Sequence, residues 1–305
     1  MKKLHKILWQ KPVSSVTIRE LKVTLRIIKQ NPVSLAGFLI VAAFIVLGIL
    51  APWITPRPEE AWGTVYYIER RLQPPSLNYI FGTDEMGRDM FSRIILGARF
   101  SLIIAVSVIA LALLIGVPIG IISGYSSGFI SSAMMRITDM FLAFPPLLLA
   151  IALASILGRG LENAIVSLAI SWWPWYARLA YLQTNHVKNY PFIDAAKVIG
   201  VSKLFIMFKH LMPNILTPIM VQSALDLGSA ILEASALSFL GLGVQPPTPE
   251  WGLLVSEGWM YITKAWWISI FPGLVIFVVV LGFNLLSDAL RESLDPRLRL
   301  LKVKG

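Results

Sequence analysis

The apolar and polar positions divide the chain into long charge-free runs separated by shorter polar stretches. Five runs carry no Asp, Glu, Lys or Arg: 33–55, 100–135, 140–158, 163–177 and 266–287. A sixth, 215–244, is interrupted only by Asp226 and Glu233. A helix needs about 20 residues to cross roughly 30 Å of hydrocarbon, so runs of this size, with tilt and flanks, predict about six membrane spans. The expected fold class is all-α and polytopic. Composition agrees: the chain is 56% hydrophobic and 14% charged, with a mean hydropathy of +0.71, which excludes an ordinary soluble domain.

The net charge of +10 could point to nucleic acid, but its placement points to topology. Basic residues crowd the first 32 residues (Lys2, Lys3, Lys6, Lys11, Arg19, Lys22, Arg26, Lys29), a central stretch (Lys188, Lys197, Lys203, Lys209) and the tail after 290 (Arg291, Arg297, Arg299, Lys302, Lys304). Six spans put all three on one side, and the positive-inside rule makes that side the cytoplasm, so no nucleic-acid partner is expected. The first apolar run reads as an anchor rather than a cleaved signal peptide, because mostly polar residues precede it and no A-x-A site follows. Leu21, Leu25 and Ile28 share a helical face, so 16–30 is expected to lie along the inner membrane surface. Three parts result: a cytoplasmic segment 1–32, a transmembrane domain 33–290 with outer segments 56–99 and 245–265, and a basic tail 291–305. Tandem Pro145-Pro146 is expected to kink the third span, and Trp172-Trp173-Pro174-Trp175 to anchor or pack the fourth.

Between spans four and five, 181–213 forms a cytoplasmic loop with a helical pattern of its own. Residues 195–199 favour a helix, Gly200 permits a turn, and Leu204, Ile206, Met207 and Phe208 resume an apolar pattern expected to stop at Pro213. Two readings fit such a pair of short amphipathic helices: docking into another protein, or lying on lipid.

In the first outer segment, Thr83 is placed to cap a helix beginning with Asp84 and Glu85. Asp84 with Arg88, and Asp89 with Arg93, fall at helical i,i+4 spacing around Gly87. That helix either forms a charged pore mouth or staples the entry to span two. In span five, Gln222, Asp226, Ser229 and Glu233 recur on one face. An acid at mid-membrane depth costs about 2.5–3.5 kcal/mol unless it meets water or a partner. The stripe is therefore expected to face a translocation path or a subunit interface.

The chain has no cysteine and no G-x-x-x-x-G-K-[ST] loop, and its three histidines, His5, His186 and His210, are scattered. Thiolate metal sites and a phosphate loop of that type are excluded, and neither a resident cofactor nor a catalytic pair is expected.

Asp194-Ala195-Ala196, three residues, Gly200, nine residues and then His210-Leu211-Met212-Pro213 resemble the EAA loop of binding-protein-dependent ABC import permeases. Asp194 stands where that family usually has Glu, and Met212 where it has Leu. Phe81 to Asp89, Leu237 to Gly243, Gln245 to Gly252 and Leu294-Asp295-Pro296-Arg297 are similar to the dipeptide/oligopeptide/nickel branch, and the short outer segment after the first span resembles its smaller permease subunit.

The resemblance implies a prokaryotic plasma-membrane permease with cytoplasmic coupling helices, in which Asp194, Ala195, Ala196, Gly200, Lys203, His210 and Pro213 engage an ATPase. It implies a homologous permease, two ATP-binding subunits holding ATP and Mg²⁺, and an extracytoplasmic binding protein as partners. Peptides are the implied substrate, with oligosaccharides or nickel as alternatives. From another class, an ion-coupled secondary transporter would use Asp226 and Glu233 as ion sites and would show inverted repeats; an intramembrane enzyme would need a reactive pair.

Overall fold

A computed structural model describes residues 31–294. The helix expected over 16–30 and the tail from 295 onward lie outside these residues. Helix α1 (Pro32–Ile54) starts where Asn31 accepts a hydrogen bond from the Val33 amide at 3.0 Å, with Pro32 in the first turn, where its missing N–H costs nothing. A short α2 (Pro58–Trp62) and a single 3-10 turn (Ile68–Arg70) follow. Then α3 (Met90–Tyr125) runs for 36 residues, roughly 54 Å at 1.5 Å per residue. The next elements are α4 (Phe129–Leu142), α5 (Pro146–Leu157), α6 (Leu161–Val187) and α7 (Pro191–Val198). Helix α8 (Lys203–Phe239), α9 (Trp251–Trp259) and α10 (Trp267–Leu294) complete the order. Among the described residues the only β-type pairing is one bridge, Thr83 to Asp89.

Four helices, α1, α3, α8 and α10, are long and apolar enough to cross a membrane, and α4 with α5 counts as a fifth if the bent pair is one span. That pair bends by 88°. Proline cannot continue the hydrogen-bond ladder, so the tandem Pro145-Pro146 separates the two helices where only a kink was expected. Helix α6 is long enough at 27 residues but less apolar, because Trp172 to Tyr176 and Arg178 fill its middle. The expected six spans are reached only by counting both the bent pair and α6.

Two boundaries differ from expectation. Helix α6 continues ten residues past 177, so the loop is shorter than 181–213. Pro213 does not stop a helix: it sits in the first turn of an α-helical stretch, Met212–Phe239, which a π-helical turn (Ile206–Leu211) joins to Lys203–Phe205. Proline at a first turn is as favourable as proline after a last one, and the apolar pattern cannot tell them apart.

The most extensive helix contact is α3 on α6. Gly116, Gly120 and Gly124, at i, i+4 and i+8, form the contact face of α3. An added Cβ would lie 2.4 Å from the Trp173 carbonyl oxygen, 2.4 Å from that of Ala177 and 2.7 Å from Thr184 Cβ. Small residues let membrane helices approach this closely, where dispersion contacts must replace a hydrophobic drive that lipid does not supply. Gly120→Leu should therefore destabilise the bundle by about 1–3 kcal/mol or prevent its assembly. Thermal melting in detergent checks this, with Leu114→Ala on the exposed face of α3 leaving the midpoint in place.

Candidate functional site

Three places collect the residues singled out by sequence. The first is the loop between α6 and α8. Lys188, just past the end of α6, donates to the Gly124 carbonyl at 2.8 Å and ties the loop to α3. Pro191 opens α7, and Ile193 and Ala196 turn inward to the core. Gly200 takes a left-handed φ of +81° with nothing near its missing Cβ, so the turn, and not crowding, requires glycine.

The opposite side of this loop is open. Asp194, Ala195 and Lys203 are exposed, and Asp194 pairs with Lys197 at 2.9 Å. Beside them Val198 is 86% exposed, Ile199 79% and Leu204 66%, with Phe205 and Phe208 also exposed. His210 and Pro213 are only partly exposed. The His210 ring stands between Phe192 and Phe205, at centroid distances of 6.3 and 5.7 Å, and its carbonyl accepts from Asn214 Nδ2. Five large apolar side chains thus face outward on an ordered, helix-flanked turn.

The second place is the segment before α3. Asp84 Oδ1 accepts from the Met86 and Arg88 amides at 2.8 and 2.9 Å. Its Oδ2 accepts from Arg88 Nε at 2.6 Å and Arg93 Nη1 at 2.7 Å. Arg93 Nη1 also meets Glu257 of α9 at 2.9 Å. Thr83, Asp84, Arg88, Asp89 and Arg93 are all buried. Gly87, at φ +75°, passes so close to Tyr67 that a Cβ would strike its carbonyl.

The helix expected from Thr83 is not there. Residues 83–88 form a tight turn, and Thr83 uses its hydroxyl to accept from the Gln73 amide at 2.8 Å. The helix starts at Met90, capped by Asp89, whose Oδ2 accepts from the Ser92 amide at 3.1 Å. Asp89 therefore faces its own backbone and Arg57, at 3.7 Å, while Arg93 goes to Asp84 and Glu257. The Asp84–Arg88 pair forms, and the Asp89–Arg93 pair does not. The buried network ties this segment to the start of α3 and to α9. Glu257 and Glu60, which accepts from the Asp89 amide at 2.8 Å, carried no local sequence signal.

Glu85 lies beside this network. Burial, then the charges of Asp84 and Glu257, push its pKa above the ordinary 4.5. Glu250 caps α9 through the Leu253 amide at 3.0 Å, and burial raises its pKa too.

The third place is the polar stripe of α8. Trp172 Nε1 donates to Glu233 Oε2 at 2.7 Å, and Tyr176 Oη donates to Asp226 Oδ2 at 2.9 Å. Gln222 Nε2 donates to Asp226 Oδ1 at 2.8 Å, while Ser229 is exposed. The stripe thus meets α6 of the same chain, and the aromatic run expected only to anchor or pack supplies its hydrogen-bond donors.

An all-helical bundle of membrane-spanning helices, with a buried charge network before α3 and an exposed apolar loop between α6 and α8, defines a multi-pass membrane protein. Residues 116–300 match the family described as "Binding-protein-dependent transport system inner membrane component", and residues 21–75 match "N-terminal TM domain of oligopeptide transport permease C". The chain belongs to the binding-protein-dependent transport family, as a plasma-membrane permease subunit. It is 43% identical over 272 residues to a dipeptide transport system permease protein of Alkalihalophilus pseudofirmus, covering 89% of this chain and 88% of that one. A di/tripeptide transport system permease protein of Pseudomonas aeruginosa is 41% identical, covering 88% and 89%. A glutathione transport system permease protein of Escherichia coli is 39% identical, covering 89% and 88%. Among solved structures, the MetNI methionine ABC transporter in an inward-facing form aligns with a TM-score of 0.53 at 19% identity, over 68% of this chain and 98% of that chain. That likeness speaks to the fold.

Two outcomes follow from the network before α3. Arg93→Met removes the closer of the two cations that Glu257 meets and leaves Asp84 with Arg88 alone, and breaking buried pairs in this way costs up to about 3–5 kcal/mol; a lowered melting point in detergent checks it. A carboxyl with a raised pKa keeps, in the folded state, a proton that the unfolded chain has already released, so Glu85 lowers stability as pH climbs from 4.5. Glu85→Gln should flatten that part of the melting-point profile, measured from pH 4.5 to neutrality.

Proposed function

We propose that this chain forms half of the translocation path of an ATP-driven importer for di- and oligopeptides. The observation that carries the reading is the exposed apolar surface of the loop, Val198, Ile199 and Leu204, on a turn continuous with α8. By this reading an extracytoplasmic binding protein delivers solute, and two ATPase subunits, which hold ATP and Mg²⁺, close against the loop. A homologous permease and this chain then reorient around a shared path. Asp194, Ala195, Ala196, Gly200, Lys203, His210 and Pro213 form the coupling element, and both termini face the cytoplasm, in keeping with their basic residues.

Peptide as substrate is supported by the names of the relatives, two of which are dipeptide or di/tripeptide permeases. Gln222, Asp226, Ser229 and Glu233 line the path; partial or full exposure along the α6–α8 seam supports that placement.

The test is uptake into vesicles holding the assembled complex and its matched binding protein, with peptides or oligosaccharides outside and ATP inside or omitted. Peptide entry that needs ATP is the expected result; oligosaccharide entry alone would overturn the substrate, and entry without ATP the mechanism. Ile199→Asp removes an aliphatic side chain whose burial is worth about 1.5–3 kcal/mol, enough to weaken docking about tenfold. It should lower ATP-dependent uptake while the complex's binding protein still captures peptide in solution.

A further inference from the structure

Helix α1 packs on α10 at Gly37 and on α3 at Gly48, where an added Cβ would lie 2.8 Å from Leu102 Cδ2, but the three helices do not fill the space between these contacts. Between them lies a groove of about 600 Å³. At one level α1 and α10 touch: a Cβ on Gly37 would lie 2.7 Å from Leu285 Cβ, and one on Gly282 2.5 Å from Ile40 Cγ2. Beyond that level, toward the 55–89 segment, the groove opens between Ala43 and Leu47 of α1, Ile94 of α3, and Leu274 and Val278 of α10. Phe81, stacked on Phe271 at 4.2 Å with Phe91 edge-on at 5.1 Å, closes the far end. Trp251 is the one lining residue with a polar side-chain atom, and that atom is spent on the Ile94 carbonyl at 2.9 Å.

The lining selects its occupant. A peptide or sugar would leave buried polar groups unpaired there, at a cost of several kcal/mol on transfer scales. A helix is too thick: one turn with side chains, 10–12 Å across and 5.4 Å high, displaces roughly 400–600 Å³, so the groove would hold a single turn. Residues 1–30 carry eight Lys and Arg and do not suit walls without a polar partner. A flexible hydrocarbon chain fits the volume and the chemistry, because all three walls belong to membrane-spanning helices and hydrocarbon is the medium at their open side. We propose that this groove is a binding site for one acyl chain of a phospholipid, drawn from the leaflet on the side of the 55–89 segment. The chain fills the space left between α1, α3 and α10 and completes their packing.

The test uses the full chain in membranes loaded with a phosphatidylglycerol carrying a diazirine on one acyl chain, followed by irradiation and mapping of adducts by mass spectrometry. Labelling at Leu274 and Ala43 should exceed, several-fold, that at Val46 and Leu114, which are exposed on α1 and α3 but outside the groove. It should saturate with probe and fall when unlabelled lipid competes. Ala43→Trp fills the groove from one wall and Leu274→Trp from the other. Either should bring labelling at the remaining lining positions down to the level of Val46 and Leu114, whose own labelling, unchanged, reports intact helices. Equal labelling inside and outside the groove in the wild-type chain overturns the proposal, as does labelling that neither substitution reduces.

Discussion

The close approach of α3 and α6 along Gly116, Gly120 and Gly124 is the constraint from which the other features follow. It sets the two backbones near enough that no Cβ fits between them, and so fixes the rotation and height of α6. At that height Trp172 and Tyr176 reach Glu233 and Asp226 on α8. At the end of the same contact Lys188 reaches the Gly124 carbonyl and fixes where the exposed loop begins. Hydrocarbon offers no solvent to rescue a misplaced acid or carbonyl, so these polar contacts depend on helix positions that apolar packing has already set.

Helix α8 is the second consequence. It runs unbroken from Lys203 in the loop to Phe239, roughly 55 Å at 1.5 Å per residue, and carries both the docking residues and the polar stripe. The π-helical turn at Ile206–Leu211 lets Pro213 lie inside this rod without ending it. On the proposed function, a partner pressing on Leu204 and Phe205 would move Asp226 and Glu233 with little loss in between, because the linkage is one helix and not a chain of contacts. Movement of the stripe would then strain the Trp172 and Tyr176 hydrogen bonds, so α6 must follow or those bonds must exchange.

What the sequence revealed and what it hid divide along the range of the interaction. The spans, the short helices of the loop, the Asp84–Arg88 pair and the stripe depend on residues within a few turns of one another, and periodicity or spacing exposes them. The partners of Arg93 and Asp89 do not: Glu257 is 164 positions from Arg93, and only the fold brings it near. Asp89 at i,i+4 from Arg93 suggested a helical pair, yet Asp followed three residues later by Ser92 is equally a cap, and capping prevails because it satisfies a free backbone amide at the start of α3. The glycines at 116, 120 and 124 stand one turn apart, but their spacing does not name the helix that they meet.

The two ends of the bundle reverse the usual order of a protein surface. At the end before α3, Asp84, Arg88 and Arg93 are withdrawn from solvent and satisfied among themselves, by backbone amides, and by Glu85 and Glu257, apart from Nε and Nη2 of Arg93, which have no hydrogen-bond partner among the described residues. At the loop end, isoleucine, leucine and phenylalanine stand outward on an ordered turn. Buried charge stabilises poorly but tolerates little movement, and exposed apolar surface persists only where something covers it. The first arrangement suits a fixed support at the head of α3. The second suits a contact made by another subunit, and α3 and α6, locked by three glycines, join the two.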